Sequence, residues 1–162
     1  MIRDRFTTAR ALALLIPLAL MAGALAFQYL GGLYPCEMCW WQRYPHIAAI
    51  ILAALAFVAP GAGAKRALVL LAALAVLVSG AIGVFHAGVE YHWWQGITAC
   101  TSTMTGHGGS VDDILKRIMS APVVRCDVAQ WTLFGISLAG FNALLSLGGG
   151  ATILWLMRRP TS

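Results

Sequence analysis

Two cysteines three positions apart, Cys36 and Cys39, carry the most evident chemistry in this sequence. A C-x-x-C pair brings two thiols close enough to interchange between dithiol and disulfide, and it often lowers the pKa of one of them. The pair sits in Cys36-Glu37-Met38-Cys39-Trp40-Trp41-Gln42-Arg43, between two long apolar runs. A second pair, Cys100 and Cys126, lies in the longest polar stretch. None of the four sits inside an apolar run, where cysteine serving as a small hydrophobe would be placed. An even number of cysteines confined to polar loops points to disulfide chemistry on an oxidising side of a membrane, with three pairings open.

A disulfide between Cys36 and Cys39 closes a very short loop, and loop closure stabilises more the longer the loop. Reactivity therefore explains this pair better than stapling does. Two pairs together can relay electrons by thiol–disulfide exchange. Two structural staples are the plain alternative. Zinc held by four thiolates is disfavoured, because the second pair lacks C-x-x-C spacing and an oxidising face works against free thiolates; no metal is expected. Covalent haem requires a histidine directly after the second cysteine, and Trp40 stands there. Arg43 reads either as a snorkelling anchor or as a donor to a carbonyl or to a Cys39 thiolate. Where helical geometry reaches back to Cys39, Arg43 four residues on shares its face, and a helix N-terminus and a cation both favour the thiolate. Among the histidines, His86 and His92 bracket the outer end of the third apolar run, and His46 lies near the start of the second. Two buried histidines suit a b-type haem, although polar histidines in helix interfaces are commoner. His92, in Glu90-Tyr91-His92, is a candidate for proton transfer beside an electron acceptor. Glu90 reads as a rim charge and His107 as solvated.

The elements that must position these groups are apolar helices. Of the 162 residues, 60% are hydrophobic and only 10% charged, against about a quarter charged in soluble domains. That excess marks a membrane protein, and the length allows one compact bundle. Spans are expected at about 11–30, 42–60, 67–87 and 131–157, each near the ~20 residues that cross a bilayer. The loops between them are 31–41, 61–66 and 88–130. The first run has a basic start and Ala22-Gly23-Ala24, as a cleaved signal peptide would, but its length reads as a retained helix. Pro45 is easiest to place in a first helical turn, which starts the second helix near Arg43. Gly148-Gly149-Gly150 predicts a bend or fraying in the fourth span. Within the second loop, apolar residues at 111, 114, 115, 118 and 119 have helical spacing on one face, and Ser110 with Asp113 resembles a capping box. That segment is expected to lie flat on the bilayer surface.

Orientation follows from charge. Arg3, Arg5, Arg10, Lys65, Arg66, Arg158 and Arg159 fall on one side of four spans, and five of the six acids fall on the other. The positive-inside rule then places both termini in the cytoplasm and all four cysteines outside. The net charge of +5 does not indicate nucleic acid, because the basic residues lie between apolar runs and form no aromatic-interleaved patch.

At Cys36 to Arg43 the chain resembles the disulfide-bond formation protein B (DsbB/DsbI) family of bacterial inner-membrane thiol:quinone oxidoreductases. The resemblance covers nearly the whole chain: four spans, C-x-x-C in the first outer loop, a basic residue four positions later, and a second pair in a longer outer loop. It implies an all-α four-helix transmembrane bundle with a short surface helix in the second periplasmic loop. It also implies a relay. A reduced periplasmic DsbA-like thioredoxin-fold partner attacks a Cys100–Cys126 disulfide at Cys100. Cys126 exchanges with Cys36, and Cys39 is left as a thiolate that passes electrons to a membrane quinone, ubiquinone or menaquinone. Arg43 then hydrogen-bonds the quinone, with His92 near it. The Gly-, Ser- and Thr-rich stretch after Cys100 departs from the best-known members. A vitamin-K-epoxide-reductase-like enzyme is less similar, because that family carries its C-x-x-C on the last helix, and a non-enzymatic stapled bundle is the remaining alternative.

Overall fold

The computed structural model describes residues 2–98, 110–112, 115, 119 and 124–158, with the side chains of 2–4 left out. Four helices are long and apolar enough to cross a membrane: α1 (Ile2–Tyr29), α2 (Glu37–Val58), α3 (Ala62–Glu90) and α4 (Leu138–Arg158). Between α3 and α4 lies a short antiparallel hairpin, β1 (Thr132–Leu133) and β2 (Ile136–Ser137), paired Thr132 to Ser137 and Leu133 to Ile136. α3 is flanked by α2 and α4, and α1 closes the bundle against those same two helices. The chain is therefore an all-α four-helix membrane bundle.

Small residues hold it together. The fully buried centre contains Ala9, Ala13, Ala49, Ala53, Ala56, Ala72 and Ala73, with Val69, Val76 and Ile153 among them. Lipid is as apolar as leucine, so helices in a membrane associate by close packing, and small side chains let their backbones approach. Gly83 is the clearest case: a Cβ there would meet Ala143 N and Ala139 O of α4 at 3.0 and 3.1 Å.

Several expectations about the helices change, among them the starts of α1 at Ile2 and α3 at Ala62 rather than near 11 and 67. The glycine triplet does not bend α4, which runs unbroken from Leu138 to Arg158. A Cβ at Gly149 would meet Ile16 of α1 at 2.7 Å, and one at Gly150 would meet Leu77 of α3 at 2.6 Å. Packing on two sides thus offsets the ~1 kcal/mol that each glycine costs a helix. The fourth helix begins at Leu138 rather than near 131, because Phe134 and Gly135 both have positive φ (52° and 77°) and turn the chain as a tight hairpin does. Ser137 then caps α4, its Oγ accepting from Gly140 N at 3.1 Å. Finally, α2 begins at Glu37, so Pro45 lies two turns inside it.

The surface helix expected over 110–119 lies largely outside the described residues. Of that segment, Val111, Asp112, Leu115 and Met119 are helical, and all four are exposed.

Candidate functional site

Pro35 keeps the preceding residue out of helical geometry, and Cys36 remains extended (φ −76°, ψ 177°) as the N-cap of α2. Its sulfur accepts from Cys39 N at 3.3 Å, the role that serine or aspartate usually fills. Glu37 in the first turn complements the positive end of the helix. The thiol pair is thereby built into the helix start. Cys36 and Cys39 are free thiols with their sulfurs 2.9 Å apart. Cys36 is 4% exposed. Its thiol is held above the usual range, first by the hydrogen bond with Cys39 and then by burial. Cys36 is thus the sulfur of the pair that loses its proton less readily.

Because α2 already runs helically at Cys39, Arg43 stands one turn further on the same face. It is 8% exposed. Its guanidinium donates to Gln28 Oε1 at 2.6 Å and to Ala24 O at 3.3 Å, both on α1, and lies 5.1 Å from the Trp40 ring. A guanidinium has five N–H donors, so these bonds leave donors to spare.

Cys39 and Arg43 share the wall of a cavity of about 400 Å³. Leu20, Ala24 and Phe27 of α1 form one side, and Phe141 and Leu145 of α4 another, with Trp131 alongside. Gln42, His46, His86, Glu90 and Asn142 supply its polar groups. An apolar cleft of this size with a few convergent polar groups is the usual form of a small-molecule site.

A chain of side-chain hydrogen bonds runs along that polar side. His86 Nε2 is 3.6 Å from Cys36 Sγ, and His86 Nδ1 is 2.7 Å from Gln42 Nε2. Asn142 Nδ2 donates to Gln42 Oε1 at 2.8 Å, and Asn142 Oδ1 is 2.9 Å from His46 Nε2. Ser79 Oγ donates to Gln42 O at 2.8 Å and lies 2.9 Å from His46 Nε2. Polar side chains inside a bundle are expensive unless paired, and here α2, α3 and α4 pair theirs with one another.

Cys126 is disulfide-bonded and fully buried. It packs in one apolar cluster with Cys36, Met38 and Val89, and Thr98 Oγ lies 3.6 Å from its sulfur. Gln130 Nε2 donates to Tyr34 O at 2.9 Å, tying the two cysteine-bearing loops together. Cys100 lies outside the described residues.

Of the residues expected from sequence, Cys36, Cys39, Arg43 and Cys126 come together. His92 is not brought to the cavity wall. It is exposed, with φ 60°, and it closes α3: its N–H bonds Val89 O at 3.1 Å, and Trp93 N bonds Gly88 O at 2.8 Å. That is the left-handed position after a helix end, where the last carbonyls find partners. Tyr91, beside it, donates to Gly135 O at 2.9 Å and accepts from Ser137 N at 2.8 Å, pinning the hairpin. His86 takes the place at the thiols. Glu90, read as a rim charge, has a side chain only 7% exposed, with Oε1 3.7 Å from His86 Nε2. The signal was the four-residue spacing of His86 and Glu90, which puts both on one face of a span. Gln42 and His46 repeat that spacing on α2.

The family model described as disulfide bond formation protein DsbB matches residues 6–156. "Disulfide bond formation protein B" of Verminephrobacter eiseniae is 32% identical over 159 residues, covering 94% of this chain and 88% of that protein. The protein of the same name from Methylococcus capsulatus is 30% identical over 136 residues, 82% of each. "Uncharacterized protein RP370" of Rickettsia prowazekii is 24% identical over 146 residues, 90% of this chain and 84% of its own length. No solved structure matches.

Proposed function

Since this chain belongs to the DsbB family, membrane oxidoreductases of disulfide formation, we propose that it is a thiol:quinone oxidoreductase of the bacterial inner membrane. It oxidises a periplasmic thioredoxin-like dithiol partner and passes the electrons to a membrane quinone. Both termini lie in the cytoplasm in this reading, which the charge asymmetry supports.

The observation that carries this reading is the shared wall: a free thiol, Cys39, and a buried guanidinium, Arg43, one turn apart on an apolar cavity of about 400 Å³. The cavity fits a quinone head group. Its walls suit an apolar ring, and Arg43 offers donors for a carbonyl oxygen. A bound quinone supplies the sink for two electrons and two protons.

The chain's own residues do the rest. The partner's thiolate attacks a Cys100–Cys126 disulfide at Cys100, and the electron pair leaves on Cys126. Cys126 attacks Cys36, so the Cys36–Cys126 bond forms and the Cys36–Cys39 bond breaks. Cys39 is released as a thiolate facing the cavity. There the α2 N-terminus and Arg43 both stabilise negative charge. Arg43, held by Gln28 and Ala24, orients the acceptor without having to reorganise.

The test is quinone reduction by the purified protein in detergent, followed by ultraviolet absorbance, with a reduced thioredoxin-like dithiol as donor. Turnover with ubiquinone or menaquinone that disappears in Cys36→Ala is the expected result. No turnover with either quinone overturns the reading.

A further inference from the structure

We infer that His86 is a catalytic residue of the exchange between the two cysteine pairs: it donates a hydrogen bond to the Cys36 sulfur as that sulfur is attacked by, or released from, Cys126. The inference rests on the relay proposed above in one step only, the exchange that joins and separates Cys36 and Cys126.

The argument begins with two backbone carbonyls, which can only accept. Gln42 Nε2 donates to Met38 O at 3.1 Å, and Asn142 Nδ2 donates to Ser79 O at 3.2 Å. These bonds fix which end of each amide is nitrogen. Gln42 Nε2 must then also donate to His86 Nδ1, 2.7 Å away. A neutral imidazole that accepts at Nδ1 carries its proton at Nε2. The Nε2–H is thus the group that faces Cys36 Sγ at 3.6 Å. Cys126 packs in the same buried cluster as Cys36, and Glu90 Oε1 lies 3.7 Å from His86 Nε2.

Cys36, Cys39 and His86 also present ligand atoms within 4.8 Å of one another, a set that resembles a soft-metal site. The fixed tautomer argues against that use, because the nitrogen facing the sulfurs has no free lone pair.

The surroundings make the donor matter. Cys36, Cys126, Met38 and Val89 form a cluster nearly closed to water. A thiolate formed there pays heavily for lost hydration unless a donor meets it. When a Cys100 thiolate attacks Cys126 in the Cys36–Cys126 disulfide, the Cys100–Cys126 bond forms. The Cys36–Cys126 bond breaks, and the electron pair leaves on Cys36. No oxidant enters and no proton is required. At that moment His86 Nε2–H, already 3.6 Å from the sulfur, meets the Cys36 thiolate, as a pre-placed donor does for developing charge. The reverse step, attack by Cys36 on Cys126 with Cys100 leaving, uses the same contact.

The test isolates that reverse step. In full-length Cys39→Ser the Cys36 thiol has no neighbour to pair with, and formation of the Cys36–Cys126 disulfide is timed by acid quench, proteolysis and mass spectrometry. His86→Ala added to this background is expected to slow formation about tenfold, less than the ~100- to 1,000-fold of a well-placed donor because 3.6 Å is a long contact. His86→Gln, which keeps an N–H donor, is expected to restore most of the rate. Should the alanine variant fail to fold, His86→Gln against His86→Met decides the question, and equal rates overturn the inference. An unchanged rate in His86→Ala, or no Cys36–Cys126 disulfide in Cys39→Ser itself, overturns it too. The measurement needs no electron acceptor, so a failure of quinone reduction would refute the proposed function and leave this result standing.

Discussion

Replacing Arg43 with glutamine separates the two halves of the proposed reaction. Arg43 gives two of its N–H groups to α1, at 2.6 Å to Gln28 Oε1 and 3.3 Å to Ala24 O. Gln28 is only half-buried, so its amide regains water in the variant, and the loss to folding should be about 1–2 kcal/mol. The loss to binding is larger. A hydrogen bond from a charged donor contributes about 1.5–3 kcal/mol, and each ~1.4 kcal/mol is tenfold. The apparent KM for quinone should therefore rise about tenfold to hundredfold. Exchange of the donor with the Cys100–Cys126 disulfide, which expels no thiolate beside the guanidinium, should keep its rate. The assay is quinone reduction at saturating dithiol donor over a range of quinone concentrations, beside a single-turnover measurement of exchange with the same donor. Arg43→Lys, which keeps the charge but loses the fork, should fall between. A folded Arg43→Gln protein with an unchanged quinone KM would remove Arg43 from acceptor binding, and with it the reason for assigning the cavity.

Gly83→Ala should lower the thermal midpoint in detergent, because the added carbon meets α4 backbone at 3.0 Å and overpacking costs about 1–3 kcal/mol. Gly63→Ala, early in α3 with nothing within 4 Å, should instead be neutral or stabilise by about 0.4–1 kcal/mol; equal effects would refute the packing account of α3 against α4. His92→Gly should retain quinone reduction and leave the fold intact or firmer, since glycine suits the left-handed position that His92 occupies (φ 60°); loss of turnover would return His92 to the acceptor site. In the dithiol state Cys36 should be alkylated last as pH rises through the ordinary thiol range, because its hydrogen bond with Cys39 and its burial hold the proton on. Its contribution to folding is present below the ordinary thiol range and is lost as pH climbs above it, which peptide mapping and a pH series of melting curves would check.

The bundle, the family and the candidate redox pair were legible in the sequence alone. Span length and the shortage of charge point to four apolar helices, and reactivity accounts for Cys36 and Cys39 so close together better than stapling does. These are local or periodic properties, legible one segment at a time. The start of α2 was less so: Pro45 pointed later, whereas Cys36 capping the helix moved it to Glu37. The glycines at 148–150 carry a bending propensity in sequence, and only the presence of Ile16 and Leu77 against two of them reveals them as packing positions. The histidines were decided wholly by tertiary structure. His86 and His92 differ by six residues, less than two turns, and sequence reading favoured the one nearer the loop. The helix ends between them. His86 stays on the face turned toward Cys36 and Gln42, while His92 leaves the helix to close it. Glu90 and Asn142 likewise gain their meaning from partners on other helices. A side chain's chemistry in a membrane depends on whether its hydrogen bonds are met across an interface, and that interface exists only once the helices have packed.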